Sequence, residues 1–377
     1  MSTVKQDTRT RDILGTSALR PDGVAKVMGS FSFSSDMWAE NMLWGATLRS
    51  PHPYARIISI DTTAALLISG VSAVITAQDV PGKATYGLIS ADQPVFASDF
   101  VRYMGEPVAA VAADHPETCR RALAAIIVNY EVLTPVVDPE LAMLVTTEQI
   151  HPDGNLIRHQ KIICGDPHIS GDITVEGHYT IGMQDQAFLG LEAAMAFPDS
   201  GGNGVELHIA TQWLHEDRGQ IAACLKLPED NVRLVLGGVG GAFGAREDIS
   251  LQVHCCLLAL RTGRPIKMQY SREESFFGHV HRHPAKIWMK HHATQEGKIV
   301  KVESRMVFDG GAYTSTSPAV LINGITHTQG PYQCENAVVD GYAVRTNNPP
   351  CGAMRGFGVV QACFAHESQM DKLAQAC

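Results

Sequence analysis

The chain has 377 residues, of which 45% are hydrophobic and 18% charged, an ordinary composition for a well-cored globular protein long enough for two or three domains. A formal net charge of -9 with no basic stripe argues against nucleic acid as a partner, and no apolar run reaches the length of a membrane span, so the cytoplasm is the expected compartment. Nine cysteines are scattered without a C-x-x-C pair, so no zinc or iron–sulfur site is expected, and most should be small buried hydrophobes in a reducing compartment.

The polar start MSTVKQDTRTRD carries no apolar targeting stretch. In chain order, LWGATLRS (43–50) and RIISID (56–61) read as strands around the turn PHPY, and EPVAAVAAD (106–114) reads as a buried strand. Pro116 opens a helix with Cys119, Leu123 and Ile126 on one face, and VNYEV (128–132) alternates as a strand. These elements predict a compact α+β unit over 19–133. The stretch from TPVVDPE to HPDGN (134–155) reads as a linker. A second domain, 156–377, mixes strands with two helices. One includes DRGQIAACLKL (217–227) and stops at Pro228; the other, DISLQVHCCLLALRTG (248–263), is apolar on nearly every face and stops at Gly263. RLVL (233–236), PIKMQYS (265–271), IVKVESRMVFDGGAY (299–313) and VVDGYAVRT (338–346) read as strands. The sequence closes on QMDKLAQAC, helix-like and without a capping glycine, which reads as the middle of a larger fold.

Between RLVL and the apolar helix lies GGVGGAFGARED (237–248), a strand–glycine loop–helix arrangement. Such bare backbone lets a ligand approach closely, and a phosphate cradle is the first candidate. The spacing argues otherwise: counting from Gly238, Phe243 stands where a dinucleotide fingerprint needs its third glycine, and no Lys-Ser or Lys-Thr pair follows Gly244. A nicotinamide-dependent dehydrogenase is therefore disfavoured. Three further stretches accompany the loop: TQW (211–213) between a strand and a helix, FDGGAY (308–313), and NNPPCGAMRGFG (347–358) with a second aromatic between glycines.

Together with GGAFGARED, these motifs resemble the molybdopterin-binding subunit of the xanthine dehydrogenase and aldehyde oxidase family of molybdenum hydroxylases. LRPDGVAKVMG, LRSPHPYARI and RYMGEPVAAVAAD resemble that family's small α/β hammerhead domain. The resemblance covers almost the whole chain and implies an α+β fold: a hammerhead domain over 19–133 followed by the first, incomplete molybdopterin-binding domain over 156–377. It implies molybdenum–molybdopterin, in a dinucleotide form, as cofactor, with no metal ligand from the protein itself. It also implies FAD and [2Fe-2S] groups on partner subunits.

Carried over residue by residue, the resemblance gives Gln212 a side chain reaching an oxygen ligand of the metal. Phe243 would lie edge-on to the substrate, with the backbone of Gly241 and Gly244 near the cofactor. Phe357 would be the second substrate aromatic, and the main chain of Arg355 would run along the cofactor. Glu247 would hydrogen-bond the ring of a purine. The implied reaction is hydroxylation of an electron-poor carbon, with a glutamate base and with water as the oxygen source. That base and most contacts to the nucleotide end of the cofactor lie beyond Cys377 in the family, so a partner chain carrying the C-terminal half is expected for activity. Bottom-up chemistry agrees, since a flat heteroaromatic between two phenylalanines gains stacking and burial while glycines leave room for a bulky tricyclic group.

Duller alternatives exist for each residue. Phe243 could anchor the core, and Glu247 and Asp248 could cap the helix that follows, a role expected of Asp248. His279, His281 and His283 fall on one face of an extended strand and could bind a metal, although a structural or surface role is favoured. The HCC run (254–256) suits buried helix packing. Asn323 stands nine residues before Tyr332, where xanthine-oxidising relatives carry an arginine, and Gly356 follows Arg355 where carbon monoxide dehydrogenases carry a cysteine. The expected activity is oxidation of a purine such as xanthine or hypoxanthine. Aldehyde or other N-heterocycle oxidation, or a non-catalytic truncated remnant, are the alternatives.

Overall fold

A computed structural model describes residue 15 and residues 17–377, so the stretch MSTVKQDTRTRD lies outside the described residues. The strand Pro107–Ala113 is buried at every position. Its alternating faces explain why: Ala109 and Val111 pack with Ala122 and Ile126 of the helix side, while Ala110 and Ala112 join the largest core with Cys255, Leu258 and Ala259. A strand covered on both faces reads as a continuous apolar run. The helix Pro116–Ala125 begins on proline, and the His115 side chain accepts the Glu117 amide, which satisfies one of the first-turn donors.

Pro107–Ala113 pairs antiparallel with Leu43–Arg49 and with Val71–Thr76. Leu43–Arg49 then pairs parallel with Ile266–Gln269. The sheet continues through Ala193–Pro198 and Val205–Ile209 to Val232–Leu236, seven strands in all. The N-terminal unit is thus joined to the second segment by a shared sheet. The helix Gln252–Thr262, buried from Gln252 to Ala259, packs on this sheet and supplies the central core. The HCC run is buried, as helix packing requires: His254 stacks on Phe96 at 4.4 Å and its Nε2 lies 2.7 Å from the Val95 carbonyl.

A five-stranded sheet in the order Ile173–Ile181, Ala285–Ala293, Ile299–Gly311, Asn336–Arg345 and Leu156–Cys164 forms the other half of the fold. The helices Ser317–Thr326 and Val359–Ala376 cover one face of it, around Met306, Phe308, Leu321 and Ala365. The chain is α+β, as its sequence predicts.

Several boundaries differ from those the sequence predicts. The apolar helix starts at Gln252, with Leu251 as N-cap and no side-chain capping bond, so Asp248 lies a turn too early to cap it. The preceding helix is Leu214–Leu225 and ends because Lys226 turns left-handed at φ 55°, two residues before Pro228. The stretch 134–155 is pinned rather than free. Asp138 caps a short helix, Pro139–Ala142, and the Asn155 side chain bonds the Ile150 amide and the Ala142 and Glu148 carbonyls. Cys119, Cys224, Cys255, Cys256 and Cys351 are buried, as expected of most of the cysteines, while Cys164, Cys363 and Cys377 are exposed.

Candidate active site

The glycine loop leaves the Val232–Leu236 strand and is anchored by Arg246, a residue that no sequence motif singles out. Its guanidinium donates to the Gly241 carbonyl at 2.9 Å, to Ala210 at 3.4 Å and to Gly190, and lies over the Phe188 ring at 4.5 Å. Burial pulls its pKa down, opposed by Glu192. Carbonyls from three separate segments thereby converge on one cation, and the loop is fixed from behind.

Gln212 follows the Val205–Ile209 strand and is tied to the same loop. Its amide donates to the Arg246 carbonyl at 2.9 Å, and its Oε1 accepts the Gly244 amide at 3.1 Å. That bond leaves the Nε2 group as the outward donor, 3.4 Å from Glu247 Oε1. The second loop closes on the first: the Arg355 amide donates to the Phe243 carbonyl at 2.8 Å. Gly244 sits at φ +105°, and a Cβ there would lie 2.5 Å from the Ala353 carbonyl oxygen. Only glycine permits this approach. Phe243 and Phe357 both hold left-handed backbone, at φ 52° and φ 44°.

Gln212, Phe243, Gly244, Glu247, Arg355 and Phe357 all line one cavity of about 580 Å³. Gly241 does not line it; at φ +109° it packs against Phe188 behind the loop. The remaining lining includes Trp213, Thr316, Ala319 and Met354, and also Leu88 and Ile89 from the N-terminal segment. No sequence signal pointed to Leu88 or Ile89, since GLIS is an unremarkable loop. They are brought in because the Gly87 amide donates to Gln220 Oε1 at 2.9 Å and Asp92 accepts from Thr314 and Arg345.

Burial raises the Glu247 pKa. Its neighbour Asp248 faces inward, with both oxygens receiving the Ser315 hydroxyl at 2.9 and 3.0 Å, and burial pushes its carboxyl up to about 7. Asn323 is not among the residues lining the cavity, whereas Gly356 is. The three histidines are all buried, which rules out a surface role. His279 and His281 stack, while His283 turns to the Ser317 hydroxyl at 2.8 Å.

Among the described residues the wall offers donors and one carboxyl, and no cysteine or histidine lines it. A redox metal seated here would have to bring its own ligands, which fits a metal held by an organic cofactor.

The family model described as "Molybdopterin cofactor-binding domain" matches residues 150–377. The one described as "Aldehyde oxidase and xanthine dehydrogenase, a/b hammerhead domain" matches residues 13–134. The chain belongs to the molybdenum hydroxylase family. It is 39% identical to the nicotinate dehydrogenase large molybdopterin subunit of Eubacterium barkeri, over 97% of this chain and 86% of that protein. It is 37% identical to a probable xanthine dehydrogenase subunit of Bacillus subtilis (strain 168), over 95% of this chain but only 48% of that protein. Among solved structures it is similar to the aldehyde oxidoreductase from Desulfovibrio gigas, with a TM-score of 0.89 and 28% identity over 94% of this chain and 41% of that one. This molybdenum hydroxylase chain thus spans about half the length of several relatives. No described helix is long and apolar enough to cross a membrane.

Proposed function

We propose that the chain forms one wall of a molybdenum–molybdopterin active site that hydroxylates a flat N-heteroaromatic, a purine such as xanthine or hypoxanthine, with water as oxygen source. The observation that carries this reading is Glu247, the one carboxyl among the described residues lining a cavity otherwise walled largely by Leu88, Ile89, Trp213, Phe243, Met354 and Phe357. When bound, the cofactor supplies the oxidising and oxygen-transferring chemistry. The chain's residues bind and orient. Gln212, with its Oε1 occupied by Gly244, would hold the cofactor through its Nε2 N–H groups without competing as a ligand. Glu247 hydrogen-bonds ring nitrogens, its carboxyl pKa raised by burial. Phe243 and Phe357 exclude water and align the ring plane.

Phe243 is 49% and Trp213 44% exposed, so the open side of the cavity is closed by a further chain or segment. That segment supplies the catalytic base. FAD and [2Fe-2S] groups on partner subunits carry off the electrons, and the pterin is a dinucleotide form. A second reading, a pyridine carboxylate, rests on Arg355, a residue lining the same cavity whose cation would pair with the substrate's carboxylate. A small aldehyde would use neither Glu247 nor Arg355.

The test is Glu247→Ala in the assembled enzyme. Loss of a hydrogen bond involving a charged group, about 1.5 to 3 kcal/mol, should lower kcat/KM for xanthine about ten- to a hundredfold or slightly more. Oxidation of a small aldehyde should be nearly unchanged. Equal losses on both would assign Glu247 to the cofactor loop. Retained xanthine turnover, together with loss of nicotinate turnover in Arg355→Ala, would favour the second reading.

A further inference from the structure

Behind the cavity wall, His279 and His281 stack with ring centroids 5.2 Å apart and 18° between their planes. Both are buried, at 6% and 3% exposure. Three oxygen atoms surround the His279 ring. Its Nδ1 lies 2.8 Å from Glu192 Oε1, and its Nε2 lies 3.1 Å from Asp185 Oδ2 and 3.2 Å from Gln186 Oε1. The Gln186 amide cannot be turned round, because its Nε2 donates to the Ala353 carbonyl at 2.8 Å. His281 Nε2 is 3.4 Å from the same Asp185 oxygen, which is buried and lacks a well-aligned hydrogen-bond donor among the described residues. A neutral His279 with its proton on Nδ1 turns that proton toward Glu192 and leaves the Nε2 lone pair facing two oxygen acceptors. Something positive belongs between them.

We propose that Asp185, His279 and His281, with the Gln186 carbonyl as fourth donor, form a buried site for a divalent transition-metal ion of the zinc type. The three side chains present ligand atoms within 4.8 Å of one another. The separations of 3.1, 3.2 and 3.4 Å are three of the six edges of a tetrahedron whose ligands lie about 2.0 to 2.1 Å from its centre. Glu192 Oε1, 2.8 Å from His279 Nδ1 but not aligned with it as a hydrogen bond, would accept the other imidazole proton after a small turn of the ring, the outer contact that fixes a ligating histidine's tautomer and raises its basicity. His281 joins by moving its proton to Nδ1, where the Pro350 carbonyl lies 3.4 Å away. Its Nε2 then gives up the 2.7 Å contact with the Phe276 carbonyl and ligates. Two imidazoles, a carboxylate and an amide oxygen, with no thiolate, suit zinc and its neighbours.

The site would act on the cavity through shared residues. Gln186 links it to Ala353, a lining residue, and Arg282 donates to the Arg355 carbonyl at 2.9 Å. The ion therefore holds the loop that carries Arg355 and Phe357, and it is distinct from any metal in the cavity.

The 377-residue chain, stripped with a chelator, is titrated with Zn2+ by calorimetry, and its zinc-loaded form is examined by X-ray absorption. The expected result is one equivalent of zinc with nitrogen and oxygen neighbours only. Binding should be abolished in Asp185→Asn and His279→Gln, weakened about 10- to 100-fold in Glu192→Gln, and unchanged in Cys363→Ser. Absence of uptake by the wild-type chain would overturn the proposal and leave a protonated His279 as the positive group. Sulfur in the zinc shell, or uptake lost in Cys363→Ser, would overturn it too, by placing the ion on the exposed Cys363, His366 and Glu367 group. The wild-type absorption spectrum decides the matter even if a variant fails to fold.

Discussion

Replacing Asp248 by asparagine should stabilise the protein, and by more at high pH than at low. Burial carries the carboxyl from an ordinary 3.8 to about 7, against the opposing Ser315 hydroxyl and with like charge from Glu247 and Asp217 adding to the rise. A carboxyl whose pKa is higher folded than unfolded contributes stability that is complete below the unfolded value, about pH 4, and lost as pH rises through about 7. Taking those two values, the group costs ~2 kcal/mol at pH 5.5 and ~4 kcal/mol at pH 8 relative to its protonated form. Asparagine keeps an oxygen for Ser315 and cannot ionise. The gain in unfolding free energy from Asp248→Asn should therefore be ~2 kcal/mol larger at pH 8 than at pH 5.5, measured by urea unfolding at both values. An equal gain at both, or a loss confined to pH 8, would mean that the ionised carboxylate is held at little cost, and the burial argument would fail.

Gly244→Ala should separate the two loops, because the new Cβ would meet the Ala353 carbonyl oxygen at 2.5 Å on a backbone at φ +105°. The assembled enzyme is expected to lose bound molybdenum while its far-ultraviolet circular dichroism stays unchanged, and undiminished metal content would show that the close approach is dispensable. Phe357→Ala should leave the cofactor in place and weaken binding of an aromatic substrate by about 0.5 to 1.5 kcal/mol beyond the area lost; metal loss with unaltered substrate affinity would reverse that division of roles.

Much of the fold was legible wherever local pattern and burial agree. The all-buried strand Pro107–Ala113 reads as a continuous apolar run, and the helix Pro116–Ala125 carries both its proline start and its apolar stripe. The strand Ala193–Pro198 was not legible, because alanines have little intrinsic strand preference and this one is set by burial in the sheet between Val205–Ile209 and Ile266–Gln269. The glycine loop and its aromatic could be located from spacing and resemblance. Their support could not: Arg246 acts through carbonyls of Gly190 and Ala210 far away in sequence, and Leu88 and Ile89 reach the cavity across a boundary that the sequence pattern draws between two domains. Asp248 looked like a helix cap because it precedes an apolar helix. The helix starts a turn later, and the carboxyl turns to Ser315 instead.

The backbone strain at the cavity shows how the wall is kept in place. Phe243, Phe357 and Ser315 are all non-glycine residues in left-handed conformations, at φ 52°, 44° and 41°, and each such residue costs on the order of 1 kcal/mol or more. Strain of that size persists only where neighbouring contacts over-determine the conformation. Here they do so one by one: Phe243 through its carbonyl's bond to the Arg355 amide, Phe357 through its amide's bond to Met354, and Ser315 through both oxygens of Asp248. Each contact comes from this chain's own residues, and none waits for a ligand. The two loops are therefore set before substrate arrives, and the two aromatics are held at fixed positions along the cavity. On such a wall, a change of substrate preference would come from replacing lining side chains such as Glu247, Ile89 or Arg355. Moving the loops instead would require breaking the bonds that offset the strain.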